Sequence, residues 1–202
     1  MMRFISFSGV QGSGKTTMMN EIYKKLNDVY GDELSIGKLS SVTRKLLVDL
    51  DINLCELRKN VDALKLWQYF SLQEHFSELM LMSMDYDVIV MDRCYIDFLV
   101  YTNMFVGKDF VERLKSKFGR YMRWFDDNSV KFYLEPLDNV EMINDGVRDT
   151  SCYLDEVRSF EEWKDCFDFI VPSVSLDDRI YMVSEYIIDL FTWLDICEEY
   201  TR

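Results

Sequence analysis

Residues 4–20 read FISFSGVQGSGKTTMMN, and the fold is decided there. The stretch opens with the apolar run Phe4-Ile5-Ser6-Phe7, the length of a buried strand. Gly9-Val10-Gln11-Gly12-Ser13-Gly14-Lys15-Thr16 then satisfies G-x-x-x-x-G-K-[ST]. Met18, Met19, Ile22, Tyr23 and Leu26 follow at the spacing of one helix face. An isolated match would be a glycine-rich turn that binds nothing; strand, loop and helix together make it a phosphate site. Gly9, Gly12 and Gly14 permit backbone conformations in which successive N–H groups point inward. The helix start adds partial positive charge. Lys15 is expected to reach the outer phosphates, and Thr16 to offer its hydroxyl to Mg²⁺. The expected ATP site is therefore Gly9, Gln11, Gly12, Ser13, Gly14, Lys15, Thr16 and Thr17.

A chain of 202 residues with 49% hydrophobic and 15% aromatic content suits one domain over 1–202 with a sizeable core. With 2 prolines and 8 glycines, long disordered linkers are not expected. Charges interrupt every apolar stretch before it reaches membrane-spanning length. A strand almost at the first residue leaves no room for a signal peptide, so a cytoplasmic location without membrane attachment is expected. Cys55, Cys94, Cys152, Cys166 and Cys197 are odd in number and lack C-x-x-C spacing, which fits reduced thiols. The single histidine, His75, excludes a multi-histidine metal site. The net charge of −13 disfavours a nucleic-acid substrate without excluding one. A small nucleotide is unaffected, because a local nest and a few arginines outweigh the global charge.

The first helix should run to about Tyr30 and cap near Gly31. Leu34–Leu39 reads as a second strand, with the polar tip Ser40–Arg44 after it. Leu46–Leu57 reads as helical with a break near Asn53, and Val61–Met84 as one long helix. On that helix Gln68, Ser71, His75 and Glu78 form a polar stripe at spacings of three and four. Asp87–Met91 is a continuous apolar strand that runs into Asp92-Arg93. Helices over Ile96–Val106 and Asp109–Asp126 are broken at Gly107. Val130–Leu134 reads as a strand, Asn139–Tyr153 as an irregular mobile loop and Phe160–Phe167 as a helix. Asp168–Val171 is a short strand ended by Pro172. A last helix starts at Asp177-Asp178, with Ile180, Val183, Ile187, Leu190, Phe191 and Leu194 on its apolar face. The alternation predicts an α/β fold: a five-stranded parallel sheet with helices on both faces. The ligand crevice should lie past the carboxyl ends of the strands.

Asp92 at the end of an apolar strand stands where a carboxylate can orient Mg²⁺ or its waters beside Thr16; a helix N-cap or a partner for Arg93 is the structural alternative. The block Asp92-Arg93-Cys94-Tyr95-Ile96-Asp97-Phe98-Leu99-Val100-Tyr101 resembles the thymidylate kinase signature D-R-[YH]-x-x-S-x-x-A-Y, with Cys94 and Asp97 as departures. The resemblance implies that Arg93 holds the acceptor phosphate. Gln73-Glu74-His75 is similar to an R-x-H segment of that family, with Gln73 where an arginine reads the base. Phe70 falls about where a phenylalanine stacks on the base, though it could equally be plain core. Two further departures stand out: Gln11 replaces an acid inside the phosphate loop, and Ser41-Val42-Thr43-Arg44 replaces E-P-G after the second strand. Asp145-Gly146-Val147-Arg148-Asp149-Thr150 resembles a D-G-V-R segment in a broader ATP-binding group that includes ribosylnicotinamide kinase domains. That group also accommodates Asp97.

The resemblances imply a P-loop kinase fold with a lid over about 139–158, using ATP and Mg²⁺. Arg148 and Arg158 are candidates to close over ATP and supply charge to the transferring phosphoryl group; the alternative for both is ordinary surface arginine. The acceptor residues are expected to be Arg44, Phe70, Gln73, Arg93, Asp97 and Tyr101. Asp97 could be a general base, a ribose ligand or a helix-starting residue. The leading expectation is a deoxynucleoside monophosphate kinase. A kinase of a hydroxyl acceptor (a nucleoside, ribosylnicotinamide, or a hydroxymethylated pyrimidine in phage DNA) and a nucleotide-gated binding protein are the alternatives. A homodimer is left open.

Overall fold

The computed structural model describes residues 3–137 and 152–199, with side chains described as far as residue 192. In chain order the elements are β1 Phe4–Ser8, α1 Lys15–Tyr30, β2 Ile36–Leu39, α2 Val42–Asp49, α3 Leu54–Arg58, α4 Val61–Asp85 and β3 Val88–Asp92. They continue as α5 Tyr95–Phe105, α6 Lys108–Asp126, β4 Ser129–Leu134, α7 Tyr153–Glu162, β5 Phe169–Val171 and α8 Leu176–Glu199. The strands form one parallel five-stranded sheet in the order β2-β3-β1-β4-β5. The expected α/β architecture with helices on both faces is what the chain adopts.

Two-residue alternation along the strands divides the core between the faces. In β3, Val88 and Val90 pack with Met18, Ile22 and Leu26 of α1 and with Val183 and Ile187 of α8. Ile89 and Met91 face the other way, toward Leu72, Phe76 and Leu79 of α4 and Leu114 and Phe118 of α6. Strands buried on both faces need continuous apolar sequence, and β1 and β3 are buried along their whole length.

Several boundaries differ from expectation. The second helix begins at Val42, not Leu46, so Val42–Arg44 is a first helical turn and not a loop; Val42 is buried there. Its end and restart fit the expected break: Asn53 accepts hydrogen bonds from the Cys55 and Glu56 amides and caps α3. Gly31 does end α1 but is right-handed (φ −63°), not the left-handed cap. It is glycine because an added Cβ would sit 2.4 Å from the Asn27 carbonyl oxygen. Helix α7 starts at Tyr153, earlier than the expected Phe160, and Lys164–Cys166 is a separate 3₁₀ turn. The remaining part of the expected lid, residues 139–151 with Arg148, lies outside the described residues, as does the Leu194 side chain.

Sheet order places β1 between β3 and β4, so the chain leaves β1 toward one edge and later returns to fill the other. That reversal opens a crevice beyond the carboxyl ends of β1 and β3. The glycine-rich loop follows β1, and Asp92-Arg93 ends β3.

Candidate active site

The loop after β1 wraps the start of α1. Gly9, Gly12 and Gly14 have φ of 139°, 77° and 89°, the left-handed half of the map that the spacing required. Gly9 has a second reason: a Cβ there would lie 2.5 Å from the Leu134 carbonyl oxygen of β4. Lys15 is buried, and its Nζ donates to the Val10 carbonyl at 2.6 Å and to Ser13 Oγ at 3.3 Å. Burial, helped by the Arg93 charge, lowers its pKa to about 7. Thr16 donates its hydroxyl to Asp92 Oδ2 at 2.7 Å, so the two expected metal residues meet. Asp92 Oδ1 is buried and has no hydrogen-bond partner among the described residues.

At the end of β3 the backbone does something uncommon. Arg93 has φ +80°, left-handed for a residue with a Cβ, and its amide still bonds to the Phe7 carbonyl of β1. The kink throws the guanidinium across the first turn of α5. There Nη1 donates to Asp97 Oδ1 at 2.9 Å and reaches the Tyr101 hydroxyl at 3.4 Å. Asp97, 1% exposed, also accepts from Ser8 Oγ at 2.5 Å and from the Cys94 amide at 3.1 Å. Burial pushes its carboxyl up while Arg93 pulls it down. Of the three roles open to Asp97, the geometry fills the helix start and adds the anchoring of Arg93.

Between these groups lies a crevice of about 350 Å³. Its lining takes in Gln11, Gly12, Gly14, Lys15, Thr16 and Thr17 from the loop and the start of α1, together with Arg44, Asp92, Arg93, Asp97 and Tyr101. Gly9 and Ser13 shape the loop from behind and are not among the lining residues. Three expected residues are not brought to the crevice. Phe70, 43% exposed, and Gln73 sit on the outer side of α4, because the inner face is set by Leu64, Trp67, Gln68, Ser71, Leu72, His75 and Phe76. Arg158 points into solvent, its side chain 77% exposed and loosely paired with Asp155 at 3.5 Å.

Other residues take the places sequence reading missed. Trp67 and Gln68 of α4 and Phe98 of α5 line the crevice, with Arg58 of α3, whose guanidinium lies 4.0 Å from the Phe105 ring centre. The polar stripe was the available signal: Gln68, Ser71 and His75 are the buried polar residues of a mostly apolar helix. His75 itself is walled by Phe76 and Phe98, and burial lowers its pKa to about 4, so it is a neutral core residue. Glu156 of α7 is 4% exposed, lines the crevice, and faces the Tyr101 hydroxyl at 3.5 Å. Burial raises its pKa above the ordinary carboxylate value. No sequence signal marked it.

No family model matches the chain. Over 111 residues it is 31% identical to a probable thymidylate kinase of Methanococcus vannielii; the match takes in 55% of this chain and 52% of that protein. The chain thus spans about half the length of the curated relative it matches. The crystal structure of thymidylate kinase from Ehrlichia chaffeensis superposes with a TM-score of 0.55, covering 94% of this chain and 98% of that one at 18% identity.

The chain has the thymidylate kinase fold. Within that fold, Asp92, Arg93 and Tyr101 of the resembling block meet around one crevice. The oxygen donors suit Mg²⁺, which takes one or two protein ligands and completes its shell with phosphates and water. The unpartnered Asp92 Oδ1 beside the Thr16 hydroxyl fits that demand. The described residues hold no group of three or more His, Cys, Asp or Glu that could cage a metal without a ligand's help. No helix among them is long and apolar enough to cross a membrane.

Proposed function

We propose that this protein is an ATP-dependent nucleotide kinase that phosphorylates a nucleoside monophosphate of the thymidylate type. One observation carries the reading: a single crevice runs from the phosphate loop, past Thr16–Asp92, to an arginine-and-aromatic pocket at Arg93, Trp67 and Phe98. Phosphoryl transfer needs alignment and positive charge more than covalent help. ATP would lie along Gly12–Thr17, with Lys15 on the outer phosphates and Mg²⁺ held at Thr16 and Asp92. Mg²⁺ bound there would neutralise charge on the phosphate oxygens. Arg93 would hold the acceptor phosphate, and Arg44 at the rim would add attraction for the anion. The acceptor base would lie against Trp67 and Phe98, which line the crevice, with the Gln68 amide offering a donor and an acceptor to its edge. Tyr101 and Glu156 would meet the sugar hydroxyls. The relatives bear the name thymidylate kinase, and the hydroxyl-acceptor alternatives draw no support from them. Asp97, engaged by three donors, is also a poor candidate for a general base. A kinase of soluble nucleotides also fits a cytoplasmic location.

The test is ATP consumption with a panel of nucleoside monophosphates, nucleosides and oligonucleotides, against ATP alone. Turnover that depends on a monophosphate supports the proposal; equal turnover without any acceptor, or with a nucleoside only, overturns it. Within this site, Trp67→Ala is expected to raise the acceptor KM by roughly 10- to 100-fold, given about 1–3 kcal/mol per stacked base. Phe70→Ala should leave it within about twofold, since exposed positions away from a site rarely matter. Steady-state kinetics on the two variants checks this, and the opposite ranking would return the stacking role to Phe70.

We also propose that the protein pairs with a second copy through α4. The outer side of that helix carries Leu66, Phe70, Gln73, Ser77, Met80 and Met84 at alternating spacings of four and three, a heptad seam. Leu66, Phe70, Met80 and Met84 are exposed large hydrophobics. The seam is apolar at both ends and polar in the middle. An antiparallel two-fold pairing therefore sets Leu66 against Met84, Phe70 against Met80 and Gln73 against Ser77, as an isologous interface requires. It also brings Lys65 opposite Asp85. Sedimentation of the protein should show a dimer, and Leu66→Glu with Met84→Glu should leave a folded monomer. A monomeric unmodified protein at micromolar concentration would remove this proposal.

A further inference from the structure

Arg179, in the first turn of α8, is fully buried. Its guanidinium donates to three backbone carbonyls: Nε to Pro172 at 2.8 Å, Nη1 to Ser13 at 2.9 Å and Nη2 to Glu135 at 2.9 Å. Those carbonyls belong to the segments that follow β5, β1 and β4, three strands adjacent in the sheet. Burying a guanidinium is costly, and here its hydrogen bonds go to carbonyls and none to a carboxylate, the Glu135 charge acting on it only without contact. Attachment of α8 does not require it, because Val183, Ile187 and Phe191 already seat that helix in the core. The Glu135 carboxylate is turned elsewhere, to Lys164 at 2.8 Å and the Ser173 amide at 3.3 Å.

The carbonyl at Ser13 gives the arrangement its meaning. The Ser13–Gly14 peptide is trans and planar, so its carbonyl and its N–H point in opposite directions. With the carbonyl held toward Arg179, the Gly14 N–H is turned to the other side, and Gly14 lines the crevice. A peptide next to a glycine at φ +89° can flip at little steric cost. Flipped, it would present a carbonyl oxygen to the phosphates. A charged donor on the carbonyl also polarises the peptide and strengthens the N–H on its far side.

We propose that Arg179 is a positioning residue of the phosphate loop: it fixes the Ser13–Gly14 peptide so that its N–H faces the polyphosphate, and so sets nucleotide affinity without touching the nucleotide. This rests on the reading of the loop as the site of a nucleoside triphosphate. Arg179→Met and Arg179→Lys test it, with calorimetry on inorganic tripolyphosphate plus Mg²⁺ and initial rates against ATP and acceptor separately. In Arg179→Met the tripolyphosphate Kd and the ATP KM should both rise roughly 10- to 100-fold, the worth of a charged hydrogen bond and its field. The acceptor KM should stay within about threefold, a split that a general loss of structure would not produce. Arg179→Lys keeps the charge but cannot span three carbonyls, and should fall between. Unchanged tripolyphosphate affinity in a folded Arg179→Met protein, or equal rises in both KM values, overturns the proposal. If the methionine variant does not fold, the same two outcomes are read from the lysine variant. Failure of the unmodified protein to bind tripolyphosphate overturns the reading of the loop itself, and this proposal with it.

Discussion

Lys15→Ala is expected to lower phosphoryl transfer by about 10³-fold or more, the scale on which phosphate-clamping cations act, while the fold survives. The survival follows from the burial of Lys15. An unfolded chain keeps that proton up to the ordinary lysine pKa of 10.5, whereas the folded chain gives it up near 7, with burial as the main cause. Between those values the unfolded state binds more protons, so the group subtracts stability at neutral pH and subtracts less as pH rises. Alanine removes that penalty together with two hydrogen bonds, to Val10 and Ser13. The same depressed pKa gives a second readout. A polyphosphate arriving at Lys15 favours the charged form, so binding at about pH 8 should take up close to one proton from the buffer. Calorimetry in buffers of different ionisation enthalpy measures this. The uptake should vanish in Lys15→Ala, and an active Lys15→Ala enzyme would remove the central assignment.

The parts of this site that could be read in the sequence are those where backbone chemistry constrains residue type. Gly9, Gly12 and Gly14 must adopt positive φ, and Asp92 must end a strand buried on both faces; both demands write themselves into local sequence. The sheet and its two helical layers were legible because β3 carries the unbroken apolar run Val88–Met91 and β1 is apolar at Phe4, Ile5 and Phe7. The proposed acceptor pocket was harder because which side of α4 faces inward is a tertiary fact. Apolar residues surround that helix, with Leu66, Phe70, Leu81 and Met84 outside and Leu64, Trp67, Leu72 and Phe76 inside. Periodicity alone therefore could not choose between Phe70 and Trp67. The resemblance to R-x-H drew attention to Gln73, whereas the inward polar stripe pointed to Gln68. Glu156 and Arg179 were illegible for another reason. Glu156 lines the crevice and Arg179 bonds to the Ser13 carbonyl from elements distant in sequence, and neither belongs to a pattern within its own helix.

Arg93→Ala is expected to raise the acceptor KM by roughly 10²-fold or more and the ATP KM by less than about threefold, as the loss of a charged contact to one substrate should. The side chain is placed by an unusual backbone and three neighbours: φ +80°, Asp97, Tyr101 and the Phe7 carbonyl that fixes its amide. Removing the guanidinium also leaves Asp97 with a buried charge. Breaking such a pair costs up to about 3–5 kcal/mol. The loss should be smaller here, because Ser8 and the Cys94 amide still donate to the carboxylate and burial already favours its protonated form. The folded-state carboxyl pKa of Asp97 is raised, so the group subtracts stability once it ionises in the unfolded chain, and acidification should partly restore Arg93→Ala stability. Asp97→Asn separates the two effects. An amide has one acceptor oxygen for the three donors now on the carboxylate, so the fold weakens. Arg93 keeps Tyr101, so the acceptor KM should rise by less than about tenfold with kcat nearly unchanged. In the double variant Arg93→Ala/Asp97→Asn, stability should recover toward that of Asp97→Asn while acceptor affinity stays at the Arg93→Ala level. Thermal melts and initial rates on the three proteins decide the matter. A hundredfold fall in kcat for Asp97→Asn at saturating acceptor, with ATP binding intact, would make Asp97 a general base and the acceptor a hydroxyl. Equal effects of Arg93→Ala on both substrates would move Arg93 to the ATP side of the crevice.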